Sequence, residues 1–284
     1  MATLKQLRRR IRSVQSTQQI TKAMEMVAAS KLKRAQERAV ASRPYASRIY
    51  DMLESLTGAA RSLSHPLFEA RPGARRALVV VASDKGLCGS YNMNIFRTAE
   101  RRVAEFGRDA VDLVAVGRRA NQYFRKRGYS VPWSLPELGD QADPARARLL
   151  AGELARLFLE KRVDQVELLF TRFVSTATRR VRMETLLPIG TASGEKARPK
   201  DYIFEPSPEA LFEALLPRYV ENRILQVLSE SLASEHSARM ISMGAATKNA
   251  KEVIDNLTLV LNRLRQAAIT RELSEIVGGA DALK

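Results

Sequence analysis

The sequence predicts an α/β domain joined to a long antiparallel coiled coil made from the two ends of the chain. Two observations carry this reading. Helix breakers are unevenly spread: from Ala2 to Thr57 the only glycine or proline is Pro44, and after Pro206 and Pro208 only Pro217 and Gly244 interrupt the chain before Gly278. Both residue types are costly inside helices, so the two breaker-poor ends read as two long helices. Between them, apolar β-rich runs alternate with helical patterns, as strands and crossover helices of one sheet do.

The N-terminal helix can be capped by Thr3, and Gly58 stands where it would end. Leu4, Leu7, Ile11 and Val14 step by three and four along one face, and Pro44 is the place for a kink. Residues 76–82, RALVVVA, form the first strand; residues 90–107 read as helix; VDLVAVG at 111–117 is the second strand. A helical ANQYFRKR follows, then a strand in GYSVPW, a helix in PARARLLAGELARLFLEKR, and two strands, VDQVELLFTRF and RRVRMETLLPI. Such alternation gives a mainly parallel sheet with helices on both faces and the last strand antiparallel. TASGEKARPKD reads as a loop leading to the second long helix. There Ile254, Leu257, Leu261, Leu264 and Ala268 alternate steps of three and four, while Val253, Val260 and Ala267 repeat every seven residues, which is coiled-coil spacing. The two helices most simply bury these stripes against each other, antiparallel if the middle folds at one end. The expected divisions are a coiled-coil helix at 1–57, a Rossmann-like α/β domain at 74–202 and a second coiled-coil helix at 208–284.

The 284 residues suffice for one large or two modest domains at roughly 150 residues each. Apolar residues at 45% and charged residues at 27% exclude a wholly disordered chain. The longest unbroken apolar run, Ala77 to Ala82, is far short of the roughly 20 residues that cross a bilayer. The N-terminus lacks the apolar core of a secretory signal and reads as mature structure. One cysteine, Cys88, excludes an intramolecular disulfide and a cysteine-cluster metal site, and fits a reducing compartment. The net charge of +16 is unevenly placed: residues 1–60 hold 12 basic and 4 acidic residues, residues 61–204 hold 26 and 16, and residues 205–284 hold 9 and 11. The basic portion calls for an anionic partner, whether nucleic acid, an anionic membrane surface or an acidic protein.

Candidate chemistry is sparse. SDKGLCGS at 83–90 follows a strand and precedes a helix, where phosphate loops occur, but its spacing matches neither nucleotide-binding fingerprint and Lys85 precedes the glycines. A tight strand-to-helix turn is the favoured reading. Cys88 as a nucleophile would need a base, and the chain offers only His65 and His236, too few for the usual zinc site. Asp84, Asp109 and Asp112 show no paired spacing for acid-base work. No catalytic residue, cofactor or metal is expected. AMEMVAASKLKRAQERA at 23–39 and ARMISMGAATKNA at 238–250 share small residues and methionine, which let helix axes approach closely, and the small-residue stretches 23–29 and 238–246 within them are expected to lie level with each other.

At these residues a resemblance emerges. ITKAMEMVAASKL at 20–32, SDKGLCG at 83–89, ARMISMGAATKNA at 238–250 and RQAAITRELSEIV at 265–277 resemble the γ subunits of F-type ATP synthases, in the right order and over nearly the whole chain. The resemblance implies a non-catalytic rotor shaft that couples c-ring rotation to ATP synthesis or hydrolysis on the β subunits. Its implied partners are three α and three β subunits, an ε subunit and the c-ring, at the cytoplasmic face of a bacterial plasma membrane. No cysteine-bearing insertion of the chloroplast kind interrupts residues 190–205. By position, Arg265, Gln266, Thr270 and Glu272 match the contacts to the β-subunit catch loop. Met24 and Arg239 match positions that influence coupling, and Phe204 and Glu205 match the foot on the c-ring, where the family often has Tyr in place of Phe204. Read without the resemblance, the four catch positions are a solvated helical face, Met24 is core packing and Arg239 an ordinary surface charge, as are Arg101 and Arg102. The alternative function is a basic coiled-coil protein that binds nucleic acid, which would cluster arginine with stacking aromatics; aromatics are 6% and lie mostly in the α/β region.

Overall fold

The computed structural model describes residues 4–59, 65–190 and 207–281. It contains α1 (Leu4–Ala59), a short 3₁₀ turn at Pro66–Phe68, β1 (Arg76–Val81), α2 (Tyr91–Phe106), β2 (Val111–Val116), α3 (Arg118–Lys126), β3 (Trp133–Leu135), α4 (Pro144–Leu159), β4 (Gln165–Phe173), β5 (Arg179–Leu187) and α5 (Pro208–Asp281). Thr3 and the TASGEKARPKD loop lie outside the described residues. The chain divides into two compact units, Met1–Ala28 with Met240–Lys284, and Ala29–Arg239. The two long helices contribute to both.

The first unit is the paired helices. Leu4, Leu7, Ile11, Val14, Gln18, Thr21, Met24 and Ala28 form the less exposed stripe of α1, in steps of three and four. On α5 the matching stripe runs through Met243, Ala250, Ile254, Leu257, Leu261, Leu264 and Ala268. Thr247 Oγ1 and Thr21 Oγ1 are 2.9 Å apart, and Gly244 lies against the carboxylate of Glu25, so residue numbers rise on one helix as they fall on the other. The helices are antiparallel, with the two small-residue stretches side by side. Val253 and Val260 are 41% and 43% exposed, so the second heptad row lies outside the seam. At Thr21, Ala28, Gly244 and Thr247 the seam is built from small side chains in place of the large aliphatic residues usual in a coiled coil.

The second unit holds a five-stranded sheet in the order β3-β2-β1-β4-β5, parallel except for β5 against β4. Val79, Val114, Val116, Leu168 and Phe170 point to one face, where α4 and the first part of α5 supply Leu150, Leu154, Phe158, Leu216 and Ile224. Leu78, Val80, Leu113 and Ala115 point to the other, covered by α2 and α3 through Ile95, Phe96 and Phe124. Central parallel strands are buried on both faces, which is why β1 reads as an unbroken apolar run from Ala77 and β2 as an apolar run interrupted only by the half-buried Asp112.

Two details depart from the sequence reading. The third strand is displaced from GYSVPW to Trp133–Leu135. Pro132 lacks the N–H a ladder needs, and residues 128–130 fold back on α3 instead, with Tyr129 N bonding to Phe124 O at 3.1 Å and the two rings packed edge to face. The second long helix is more than a coiled-coil strand, because its first part covers a sheet face. Pro217 is tolerated within it on the exposed side.

Candidate functional site

The turn between β1 and α2 is an ordered hub. Ser83 Oγ donates to Lys85 O at 2.6 Å, and Asn92 at the start of α2 donates to Ser83 Oγ at 2.8 Å and accepts from Ser83 N at 3.1 Å. Asn92 Nδ2 also lies 3.4 Å from Cys88 Sγ. The tight path puts Leu87 at φ 63 and Gly89 at φ 59, and leaves the Leu87 side chain 62% exposed. Cys88 is buried, and burial followed by the nearby Glu235 pushes its thiol up. Its hydrogen-bond neighbours are Ser83, Lys85 and Asn92, with no histidine base among them. A protonated, covered thiol without a base is no nucleophile.

Asp84 explains why this turn is not a phosphate site. Its Oδ1 accepts from Arg118 N at 3.0 Å and Leu138 N at 3.1 Å, and its Oδ2 accepts from Gly139 N at 2.9 Å. Arg118 is the first residue of α3, so the carboxylate occupies a helix N-terminus at the carboxyl ends of β1, β2 and β3. In doubly wound sheets an anionic ligand group sits in such a crevice and uses such N–H donors. Here a side chain of the chain itself fills the place. The approach depends on Gly117, at φ 90, where a Cβ would meet Ala82 O at 2.2 Å. Beside the turn lies a cavity of about 190 Å³ lined by both signs of charge, including Lys85, Arg118, Arg239, Glu137, Asp140 and Glu235. A lining so balanced does not attract an anion.

Arg239 is no surface charge. Its side chain is 12% exposed, pairs with Glu235 one turn earlier and donates to Gly86 O at 3.2 Å, which ties α5 to the turn. His236, beside it, is buried with neither ring nitrogen hydrogen-bonded among the described residues. Burial first, then the positive charges of Arg239 and Lys31, lower its pKa to about 4, so it is neutral at physiological pH. Lys31 is held by Asp140 at 2.7 Å. From Ser231 to Ala238 every residue of α5 is buried, so the helix is enclosed on all sides there. The sequence reading missed this, although SLASEHSA, small and polar, was the visible signal.

The expected coupling and catch residues fall as follows. Met24 is half-buried in the helical seam, whereas Met26 and Val27 are exposed. Arg265, Gln266, Thr270 and Glu272 are all exposed, with Thr270 Oγ1 bonded to Gln266 O at 3.0 Å. The Thr21–Thr247 register sets Leu4 opposite Leu264, so α5 beyond that level has no described α1 residue beside it. Ile269, Leu273, Ile276 and Val277, at 49%, 58%, 68% and 61% exposure, form an uncovered apolar face there. Phe204 and Glu205 lie outside the described residues. Arg102 is also no ordinary charge: with Arg76 it pairs with the buried Glu167, and both guanidinium groups lie over the Phe106 ring at 4.3 and 4.0 Å. Among the described residues no acidic, histidine or cysteine cluster could hold a metal, and no helix is long and apolar enough to cross a membrane.

Known proteins resemble the chain along its whole length. The ATP synthase family model matches residues 3–283. The ATP synthase gamma chains of Heliobacterium modesticaldum and Moorella thermoacetica are each 48% identical to it, with 100% of both chains covered. Among solved structures, the central stalk with c-ring of the Tetrahymena thermophila mitochondrial ATP synthase superposes with a TM-score of 0.63 at 26% identity, over 80% of this chain and 99% of that one. A chain of the Euglena gracilis mitochondrial assembly of OSCP, F1 and c-ring reaches a TM-score of 0.70 at 16% identity, over 99% and 94%, which speaks for the fold alone. The chain belongs to the ATP synthase gamma-chain family.

Proposed function

We propose that the chain is the central rotor shaft of a proton-translocating ATP synthase, turning with a c-ring and imposing its asymmetry on three catalytic β subunits. The observation that carries this is the apolar end of α5. Ile269, Leu273, Ile276 and Val277 fall at i, i+4, i+7 and i+8, a single helical face that water would cover at a cost of roughly 1.5 to 3 kcal/mol per large side chain. A ring of α and β subunits closing around the helix end supplies the missing cover, and the polar Arg265, Gln266, Thr270 and Glu272 beside it supply the catch contacts to β. The basic surface lower on the chain faces acidic segments of β, held by long-range attraction without interlocking packing. The Tetrahymena neighbour is itself a central stalk with its c-ring, which supports contact of this chain with a c-ring. Phe204 and Glu205 are the proposed foot, and an ε subunit is a further proposed partner.

The chain has no catalytic part in this reading. Asp84 fills the crevice at the ends of β1, β2 and β3 where a phosphate would sit, and Cys88 lacks a base among the described residues. The aromatic rings that a nucleic-acid binder would expose pack on each other, Phe96 on Tyr123 at 4.1 Å and Phe124 on Tyr129 at 5.4 Å. The complex lies peripherally on the cytoplasmic face of a bacterial inner membrane. Purification of the tagged chain from membranes in mild detergent should recover α, β, ε and c subunits, and the chain alone should neither bind nor hydrolyse ATP. Recovery without them, or nucleotide binding abolished by Lys85→Ala, would overturn the reading.

A further inference from the structure

Hydroxyl groups inside a helix ordinarily bond back to the carbonyl one turn earlier. Those of the two long helices do so at Thr17, Ser229, Thr247, Thr258 and Thr270, to Ser13 O, Leu225 O, Met243 O, Ile254 O and Gln266 O, at 2.7 to 3.1 Å. Ser234 and Ser237 differ. Ser234 Oγ donates to Thr171 O of β4 at 2.9 Å, and Ser237 Oγ donates to Thr176 O in the β4–β5 turn at 2.5 Å while accepting from Arg179 Nη1 of β5 at 2.9 Å. One turn before Ser234, the carbonyl of Ser231 accepts from the buried Tyr91 hydroxyl of α2 at 3.1 Å. Positions 231, 234 and 237 share one helical face, so a single row of α5 is hydrogen-bonded to α2, β4, β5 and the turn between the last two.

We propose that Ser234 and Ser237, with Tyr91 and Arg179, are positioning residues that fix the rotational register of α5 within the α/β unit, so that torque applied to the sheet reaches α5 without slip. The proposal rests on the rotor reading above. Apolar packing around an enclosed helix resists its removal but is non-directional, and a helix sheathed only in aliphatic side chains could turn or shift at small cost. Hydrogen bonds are directional, and breaking one in a dry interior leaves its donor and acceptor unpaired. The small serine side chains let the helix lie close enough for these bonds, which explains why the segment enclosed on all sides is also among the most polar of α5.

The test uses inverted membrane vesicles carrying the whole synthase. Ser234→Ala with Ser237→Ala is compared with Ser229→Ala, whose lost hydroxyl bonds only its own helix. ATP-driven proton pumping per ATP hydrolysed should fall about threefold or more in the double variant and stay at the parent value in Ser229→Ala. Hydrogen exchange of the 231–238 amides in the purified synthase should rise by about tenfold. A double variant that pumps per ATP like the parent overturns the anchor. If the double variant fails to assemble, the single variants decide: at least one must lose coupling with the complex intact, and parent-like pumping by both overturns the proposal. Parent vesicles in which the chain accompanies no pumping complex would instead remove the rotor reading, a separate outcome.

Discussion

Asp84, His236 and Glu167 are three ionisable side chains whose roles depend on burial and on partners far away in the chain. Asp84 satisfies three backbone donors, one at the start of α3 and two in the loop after β3, and those donors lie 34, 54 and 55 residues along the sequence. His236 is enclosed between Arg239, Glu235, Lys31 and Asp140 and is held neutral, with a pKa near 4. Because the folded pKa lies below the ordinary value of 6.5, the unfolded chain takes up the proton first as pH falls. The contribution of His236 is therefore full above about pH 6.5, is lost progressively between 6.5 and 4, and amounts to about 3 kcal/mol. Glu235, whose carboxyl burial raises, gives the opposite slope above its ordinary pKa. His236→Gln should flatten the loss of stability between pH 6.5 and 4, read as the denaturation midpoint of the purified chain at each pH. An unchanged slope would contradict the buried neutral state. At this scale the sequence was least legible. A helical arginine reads as solvated unless its partner is known, and for Arg102 the partner is Glu167, 65 residues on, while for Arg239 it is a carbonyl in the turn at Gly86. The Glu235–Arg239 spacing of four is local and visible, but it fits a solvated helix face equally well, and the long-range partners leave no local pattern.

Elements were far more readable, because periodicity is local. The heptad row Ile254, Leu257, Leu261, Leu264 and Ala268 is the less exposed row of α5, and the strand runs at 76–82, 111–117 and 163–173 correspond to β1, β2 and β4. Two features escaped the pattern: Pro132 delays β3, and the dual use of α5, coiled coil at one end and sheet cover at the other, is hidden because both uses demand the same helical spacing. The register of the helical pair gives a direct test. Cysteines replacing Thr21 and Thr247, whose hydroxyls are 2.9 Å apart, should join under mild oxidation, since disulfides require Cβ atoms about 3.5 to 4.5 Å apart. A cysteine at 21 that joins only to one at 254, two turns away, would show a slipped pair. The buried Cys88 should not interfere.

For the whole molecule, charge and exposure divide the labour. The excess of basic residues lies before residue 205, and the uncovered apolar face lies at the end of α5. Replacing Arg265 and Gln266 together by Ala should lower ATP-driven proton pumping and ATP hydrolysis, because a shielded charge-assisted bond from Arg265 to a β carboxylate is worth about 1.5 to 3 kcal/mol. The proper control is Arg97 with Arg101, both exposed and outside the ion pairs of the sheet, since Arg102 belongs to the Glu167 cluster. Equal activity in the two double variants would reduce the four positions to solvated surface. The central claim, that this chain turns inside a ring of three catalytic sites, has a more direct measurement. With Cys88 buried and the thiol held protonated, Lys126→Cys on the exposed end of α3 offers a single reactive attachment point for an optical label. With the α and β subunits fixed to a surface, ATP should drive the label round in one direction with three equal steps per turn. Sustained ATP hydrolysis beneath a label that stays still would contradict the account.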